Sequence, residues 1–431
     1  MVGSPSTQSA LVNNSQAMEP GPGERERAGV VFLLPRSSHA RCVKRIQWLT
    51  RDGVEPRVFA FERNYLDVNI KMNQLPYTSL GLIEHRRYGR RLFVLFRSVP
   101  TVAGSVKKCD AIYCFGLDLL VLGWFSRACT RSRALLVYEV ADVLEVQCGK
   151  SLLSRLVRSV ERFLLRRTAA LVVTSPAYVE GYYCRFRHLP PVFLIENKFG
   201  HEVDPEAIEE VRAMPVCRDP GVVTIGLLGA LRCMRSLDLL FETADRADGR
   251  IRIHIRGLVM SEAIRQRLHE APPHVVIEGP FKPEVDMPAM YSEIDVGWVA
   301  DYHATTNTKM ARRNRFYDCC MFARPMIAQK GSADAVIVER EGLGLIIDAE
   351  DREQAIGAML ALTPAQIETW RKNVLALPRG VFAHEPGDEH ADLARFIANP
   401  DPMLATLGPD SHGATGVTAE TPHSQRRGDG K

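Results

Sequence analysis

The chain has 431 residues, 46% of them hydrophobic and 25% charged. That is a globular composition, and it excludes a disordered chain, a collagen and a coiled-coil rod. At roughly 100–200 residues per domain there is room for two or three domains. The formal charge is only +4, from 55 basic and 51 acidic residues, which excludes a protein built chiefly to bind nucleic acid. Of those 55 basic residues, 44 are Arg. Arg suits phosphate and carboxylate recognition, although a GC-rich coding sequence gives the same excess.

Residues 1–28 are rich in Ser, Asn, Gly, Pro and Gln and carry no apolar segment of the kind a secretory signal needs. They are expected to form a disordered tail, and so are residues 399–431. Ten cysteines are scattered without a CxxC pair. They read as reduced thiols in a cytoplasmic chain, with no metal site. No run approaches the roughly 18 apolar residues of a membrane span.

From residue 29 to 200, short apolar runs alternate with helical patterns. Strands are expected at Val30–Leu34, Arg57–Phe61, Ala111–Phe115, Ala134–Glu139, Ala170–Ser175 and Val192–Glu196, with a helix at His39–Arg51 after the first. A polar break at 201–221 reads as an interdomain linker. The same rhythm then returns over 222–377. Strands are expected at Val222–Leu228, Arg252–Gly257, Val275–Gly279, Asp295–Ala300, Pro325–Gln329 and Leu343–Ile347. Continuous apolar strands separated by helices predict an α/β chain with two parallel, doubly wound sheets. A ligand cleft is expected between the domains, at the carboxyl ends of the strands.

Two stretches carry candidate chemistry. In Gly226–Leu237 a strand meets a turn at Gly229, then Arg232, Arg235 and the start of a helix. Free backbone N–H groups and two guanidinium groups there suit a phosphate. In Asn307–Ala328 a basic loop with Lys309 leads into a helix carrying Asn314, Arg315 and Asp318. Asp318 is placed to accept from ribose hydroxyls, with Lys309 and Arg315 near phosphates. The plain alternative is a solvated loop with Asp318 paired to Arg315.

These stretches resemble the family 4 glycosyltransferases of the GT-B type. Gly229-Ala230-Leu231-Arg232-Cys233-Met234-Arg235-Ser236 resembles G-R-L-x-x-x-K-G, with Arg235 at the phosphate-binding Lys position and Ala230 in place of the family Arg. Asn314 to Ala328 resembles P-N-K-L-Y-E-Y-M-A-x-G-x-P-V-I-A, with Asp318 at the ribose-holding Glu and Met310 where the family has another Glu. The resemblance spans residues 29–397. It implies two Rossmann-like domains facing a central cleft, with a closing segment at 378–398 that crosses back to the first domain.

It further implies transfer of a sugar from a nucleotide-sugar donor, with retention and without a metal or other cofactor, to a lipid-linked or oligosaccharide acceptor in polysaccharide biosynthesis. Tyr138-Glu139-Val140-Ala141-Asp142 resembles Y-E-x-H-D, so Glu139 and Asp142, with Arg235, are the catalytic candidates. A helix-capping role for Asp142 is equally open. His39 follows the first strand and is a candidate contact to acceptor or donor phosphate, beside capping by Ser37 or Ser38. An epimerase of the same fold and a non-catalytic binding protein are the alternative readings.

Ser151–Arg167 has apolar residues at 152, 153, 156, 157, 160, 163 and 164 on one helical face, and Arg155, Arg158, Arg162, Arg166 and Arg167 against one Glu161 on the other. Such a basic amphipathic segment, like the cluster Arg86–Arg91 with the apolar run after it, can lie on an anionic membrane at the cytoplasmic face. The alternative is that its apolar face joins the core, the commoner case for a helix between two strands.

Overall fold

The computed structural model describes residues 27–37, 39–62, 75–82, 94–140, 142–219, 221–302, 306–401 and 403. The cluster Arg86–Arg91, Ala141 and nearly all of both tails lie outside them.

The first domain is a seven-stranded parallel sheet of order β3-β2-β1-β4-β5-β6-β7. Its strands are β1 (Ala28–Leu34), β2 (Val54–Glu62), β3 (Thr78–Leu82), β4 (Ala111–Phe115), β5 (Leu135–Glu139), β6 (Ala170–Val173) and β7 (Val192–Leu194). The second is a six-stranded parallel sheet of order β10-β9-β8-β11-β12-β13. Its strands are β8 (Val223–Leu231), β9 (Ile251–Val259), β10 (Val275–Glu278), β11 (Val296–Trp298), β12 (Met326–Gln329) and β13 (Gly344–Ile347). In each sheet the order reverses beside the first strand, between β1 and β4 and between β8 and β11. That reversal opens a crevice at the carboxyl ends.

Burial explains why these residues form strands. Val30 to Leu34 and Ala111 to Phe115 are all at most 1% exposed, because helices cover both faces of a parallel sheet. All twelve expected strands are present. The edge strand β3 has only Leu80 buried, so it carries no apolar run.

Three departures matter. The break at 201–221 contains the helix Pro205–Ala213, which Asp204 caps through the Glu206 N–H. Its Ile208 and Val211 join the core of the second domain, so the linker is shorter than its polarity implied. The basic loop expected around Lys309 holds a short helix of its own, Thr306–Met310, ahead of the helix Asn314–Met321. The third departure is the helix Leu152–Leu165, whose apolar stripe only partly faces the core. Leu152, Leu153 and Leu156 are 81%, 60% and 61% exposed, while Glu161 is fully buried beside Leu164 and Leu165. The Glu161 carboxylate accepts from the Tyr182 and Tyr183 hydroxyls and the Gln147 amide, and these partners hold its edge of the helix inward.

The chain crosses between domains twice, side by side. Phe199 pairs with Ala383 in a parallel bridge, and the Phe199 N–H donates to the Phe382 carbonyl at 2.7 Å. Beyond the second crossing, the helix Glu389–Ala398 returns to the first domain, where Leu393, Phe396 and Ile397 join its core.

Candidate functional site

The second-domain half of the site is built at the end of β8. Gly229 has φ +103 and pairs with Gly257 of β9. A Cβ on Gly257 would lie 1.7 Å from the Gly229 carbonyl oxygen, so this close approach requires glycine. The chain then turns into the helix Met234–Arg246, whose first residues present free N–H groups. A narrow pocket of about 10 Å³ lies here, lined by Ala230, Arg232, Cys233, Ser236, Asp301 and Arg315.

Each cation at this turn has a defined support. Arg232 donates through Nε and Nη2 to the buried Asp301 carboxylate at 2.9 and 2.7 Å, yet its side chain stays half exposed. Arg315 donates to the Ala230 carbonyl at 2.7 Å and is not paired with Asp318, and burial lowers its pKa. Arg235 is exposed, with its guanidinium 6.0 Å from the centre of the Tyr302 ring. Ser236 Oγ is buried beside them without a hydrogen-bond partner. Three arginines around one turn, a helix N-terminus and an unused hydroxyl are the groups that suit a dianion.

Asp318 is one turn inside the helix Asn314–Met321 and faces Lys44 of the first domain. Burial raises its pKa, against the opposing pull of Lys44 and Arg315. Burial lowers the Lys44 pKa, opposed by Asp318. Lys44 is otherwise held by the Lys198 carbonyl at 3.0 Å. The two charges interact across the domain boundary without forming an ion pair among the described residues. Asn314 is exposed and its side-chain oxygen accepts from Asn197 across the same boundary. Lys309 is exposed on its short helix.

The acidic candidates of the first domain separate. Glu139 ends β5 and is fully buried. Its carboxylate accepts from Arg45 Nε at 3.1 Å and Tyr113 OH at 2.7 Å, and Arg41 lies 3.5 Å from its other oxygen. Its expected place facing the acceptor is thus corrected: it is an internal counter-ion, out of reach of a substrate. Asp142 is exposed. It caps no helix, since Leu144 holds the N-cap of the next one, and it accepts from Asn307 of the second domain at 2.6 Å. Asn307 Oδ1 in turn accepts from the Val143 N–H and the Tyr178 hydroxyl.

Met310 stands where the resemblance placed an acid. It is 9% exposed and belongs to the core of the first domain; its methyl lies 2.9 Å from where a Gly181 Cβ would be. An apolar residue is needed at this position because it plugs one domain into the other.

His39 takes the N-cap position of the helix Ala40–Arg51 without a side-chain capping bond. Arg155 and Arg162 are exposed. Arg158 is corrected, because it donates to the Gln147 and Gly149 carbonyls at 2.8 and 2.6 Å and is committed to the fold.

Sequence reading missed Arg41, Lys44 and Arg45. They share one face of the helix Ala40–Arg51 and point inward to Glu139 and Asp318. The signal was available: a basic stripe at i, i+3 and i+4 on a helix that must bury a face. Asp301, just after β11, was also missed.

Two groups have metal-ligand spacing: His384, Asp388 and His390, and His254, Glu278 and Glu293. Arg45 meets His390 Nε2 and Arg256 lies 3.1 Å from Glu278, so each already holds a cation. No helix among the described residues is long and apolar enough to cross a membrane. All ten cysteines are free.

Residues 39–198 match the model of the glycosyl transferase 4-like domain. The chain is 29% identical over 294 residues to the succinoglycan biosynthesis protein ExoL of Rhizobium meliloti (strain 1021), covering 66% of this chain and 72% of that one. Among solved structures it is similar to Anabaena Alr3699/HepE in complex with UDP and glucose, with TM-score 0.62 and 16% identity over 88% of this chain and 100% of that one. The same protein in complex with UDP-glucose gives TM-score 0.61 at 15% identity over the same shares. Sucrose-phosphate synthase from Thermosynechococcus elongatus gives TM-score 0.60 at 16% identity, covering 86% of this chain and 98% of that one.

Proposed function

We infer that this chain, a family 4 glycosyltransferase of the GT-B fold working in polysaccharide biosynthesis, takes its donor at the Gly229 turn and its acceptor on the first domain. The donor is a nucleotide sugar; the complexes of the Anabaena relative with UDP and UDP-glucose support a uridine diphosphate sugar. Arg235 and Arg232 receive the diphosphate with the first N–H groups of the helix Met234–Arg246, and Asp318 receives the ribose.

The reaction breaks the bond between the anomeric carbon and the diphosphate, and negative charge grows on the leaving oxygen. Preorganised cations in a cleft shielded from water stabilise that charge. Arg232, Arg235 and Arg315 supply it from the protein itself, which supports a metal-independent reaction. Asp142, exposed at the boundary and held by Asn307, is the acceptor-side carboxylate. Retention at the anomeric carbon and a lipid-linked saccharide acceptor complete the proposal, as the family resemblance implies.

The observation that carries this reading is the convergence of Arg232, Arg235, Arg315 and Ser236 on one glycine turn, with Asp318 on the facing helix. The test is nucleotide binding by calorimetry and sugar transfer with a panel of nucleotide sugars. Arg235→Ala is expected to weaken UDP binding roughly tenfold or more, the loss of one charge-assisted contact, with an unchanged melting temperature because the side chain is exposed. Asp318→Ala is expected to lower affinity for UDP but not for inorganic pyrophosphate. If no nucleotide binds, and neither substitution alters turnover, the assignment fails.

A further inference from the structure

The helix Leu152–Leu165 has no function in the nucleotide site, yet it carries the most unusual surface among the described residues. Leu152, Leu153, Leu156, Val160 and Phe163 are 81%, 60%, 61%, 38% and 40% exposed. Five large apolar side chains on one solvent-facing stripe are far from the scattered single exposures of an ordinary surface.

The patch continues beyond the helix. Phe163 packs edge-on against Trp124 at 5.2 Å between ring centres, and Trp124 adjoins Phe125, 6.5 Å away. Phe125 meets Phe96 at 5.2 Å, and Phe96 is itself 48% exposed. The rim is basic. Arg155, Arg162, Arg166 and Arg167 are exposed along the same helix, and the Arg167 guanidinium stacks 3.5 Å from the centre of the Phe163 ring. The single acid of the helix, Glu161, is buried on the opposite side. The outward face therefore presents leucine, phenylalanine and arginine with no carboxylate.

We propose that this face docks on an anionic lipid monolayer, with the helix lying in the interface plane. Leucine and phenylalanine side chains enter the acyl boundary, the aromatic cluster sits at headgroup depth, and the arginines pair with lipid phosphates. Charge complementarity selects this occupant over an apolar partner protein, since the exposed charges of the helix and of the two residues after it, Arg155, Arg162, Arg166 and Arg167, are all cations. The placement deepens the reading of a lipid-linked acceptor and rests on it. The short helix Glu145–Cys148, which follows Asp142 in the chain, packs on this helix, with Arg158 donating to the Gln147 carbonyl at 2.8 Å, and Leu144, two residues beyond Asp142, is 45% exposed. Docking thus brings the segment that carries the acceptor-side carboxylate toward the bilayer surface, where a membrane-borne saccharide emerges.

The test is flotation of the full-length protein with vesicles of phosphatidylcholine alone or mixed with phosphatidylglycerol. Binding is expected on the mixed vesicles and to weaken with salt. The double variant Leu153→Asp/Leu156→Asp should lose roughly tenfold or more of that binding. Leu153→Ser/Leu156→Ser, which adds no charge, should also lose most of it. Arg155→Glu/Arg162→Glu should remove the preference for phosphatidylglycerol. UDP binding by the leucine variants in vesicle-free buffer is expected to match the unmodified protein, so that a failed surface stays distinct from a failed nucleotide site. Flotation unchanged in the leucine variants, or no flotation of the unmodified protein on mixed vesicles, overturns the proposal. So does a concentration-dependent dimer that Leu156→Asp dissolves in a protein that ignores vesicles, since the face would then belong to a second copy.

Discussion

Replacing Glu139 by Ala tests whether this carboxylate is structural or chemical. In the folded protein it is fully buried between Arg45, Arg41 and Tyr113. Its removal strands buried positive charge, which typically costs about 3–5 kcal/mol. Arg45 keeps the Ile195 carbonyl at 2.7 Å and His390, which argues for the lower end, about 3 kcal/mol. Tyr113 also loses the acceptor of its hydroxyl, a bond to a charged group included in that figure. For a domain of this size, roughly 2–4 °C is lost per kcal/mol, so Glu139→Ala should melt about 6–12 °C lower. Glu139→Gln keeps the shape and an acceptor for Tyr113, and should lose about half as much. Thermal melting is the primary assay, with sugar transfer measured well below both transitions. Turnover per folded molecule should fall by less than about tenfold, whereas loss of a general acid or base costs about 10²–10⁴. A Glu139→Gln protein that melts like the unmodified one but has lost about a thousandfold in turnover would refute the structural assignment.

Asn307→Ala removes three bonds between the domains, those to Asp142, Val143 and Tyr178, at about 1 kcal/mol each. Without nucleotide, small-angle scattering should then report a larger radius of gyration, and an unchanged radius would count against the interdomain role of this residue. His201 is held neutral by burial, which lowers its pKa to about 3, whereas an unfolded histidine titrates near 6.5. Below about pH 6.5 the unfolded chain takes up the proton first, so this residue's contribution to stability falls as pH falls through that value. Between about pH 6.5 and 5 the unmodified protein should lose about 1.5 kcal/mol more than His201→Gln. Parallel stability curves for the two proteins would show that His201 does not titrate in this way.

The fold was legible wherever burial on both faces leaves a continuous apolar run, as in Val30–Leu34 and Ala111–Phe115. It was illegible where burial is partial. Thr78–Leu82 buries one leucine, and the helix Pro205–Ala213 sits inside a polar stretch because it covers the core with only Ile208 and Val211. The Gly229 turn with Arg232 and Arg235, and the helix with Arg315 and Asp318, stood out in the sequence because each group is local to one turn or one helix. The acceptor side could not. Glu139 and Asp142 are three residues apart in sequence, yet one faces the core and the other the boundary. The difference comes from Arg45, Tyr113 and Asn307, which the fold brings in from distant segments. The helix Leu152–Leu165 was read only in part, because a hydrophobic stripe between two strands ordinarily faces the core. Here Leu164 and Leu165 do so, but the hydrogen bonds of the buried Glu161 turn the N-terminal leucines outward.

The two chain crossings at Phe199 and Ala383, bridged in parallel, act as an axle rather than a tether. A single connecting segment would let the domains twist freely, but two adjacent ones resist rotation about their common length and leave bending as the soft motion. Bending then moves Asn307, Met310 and Asn314 away from the first domain together, as one edge of a closing book. The resistance to opening is therefore the sum of these modest contacts along the edge rather than any single strong one.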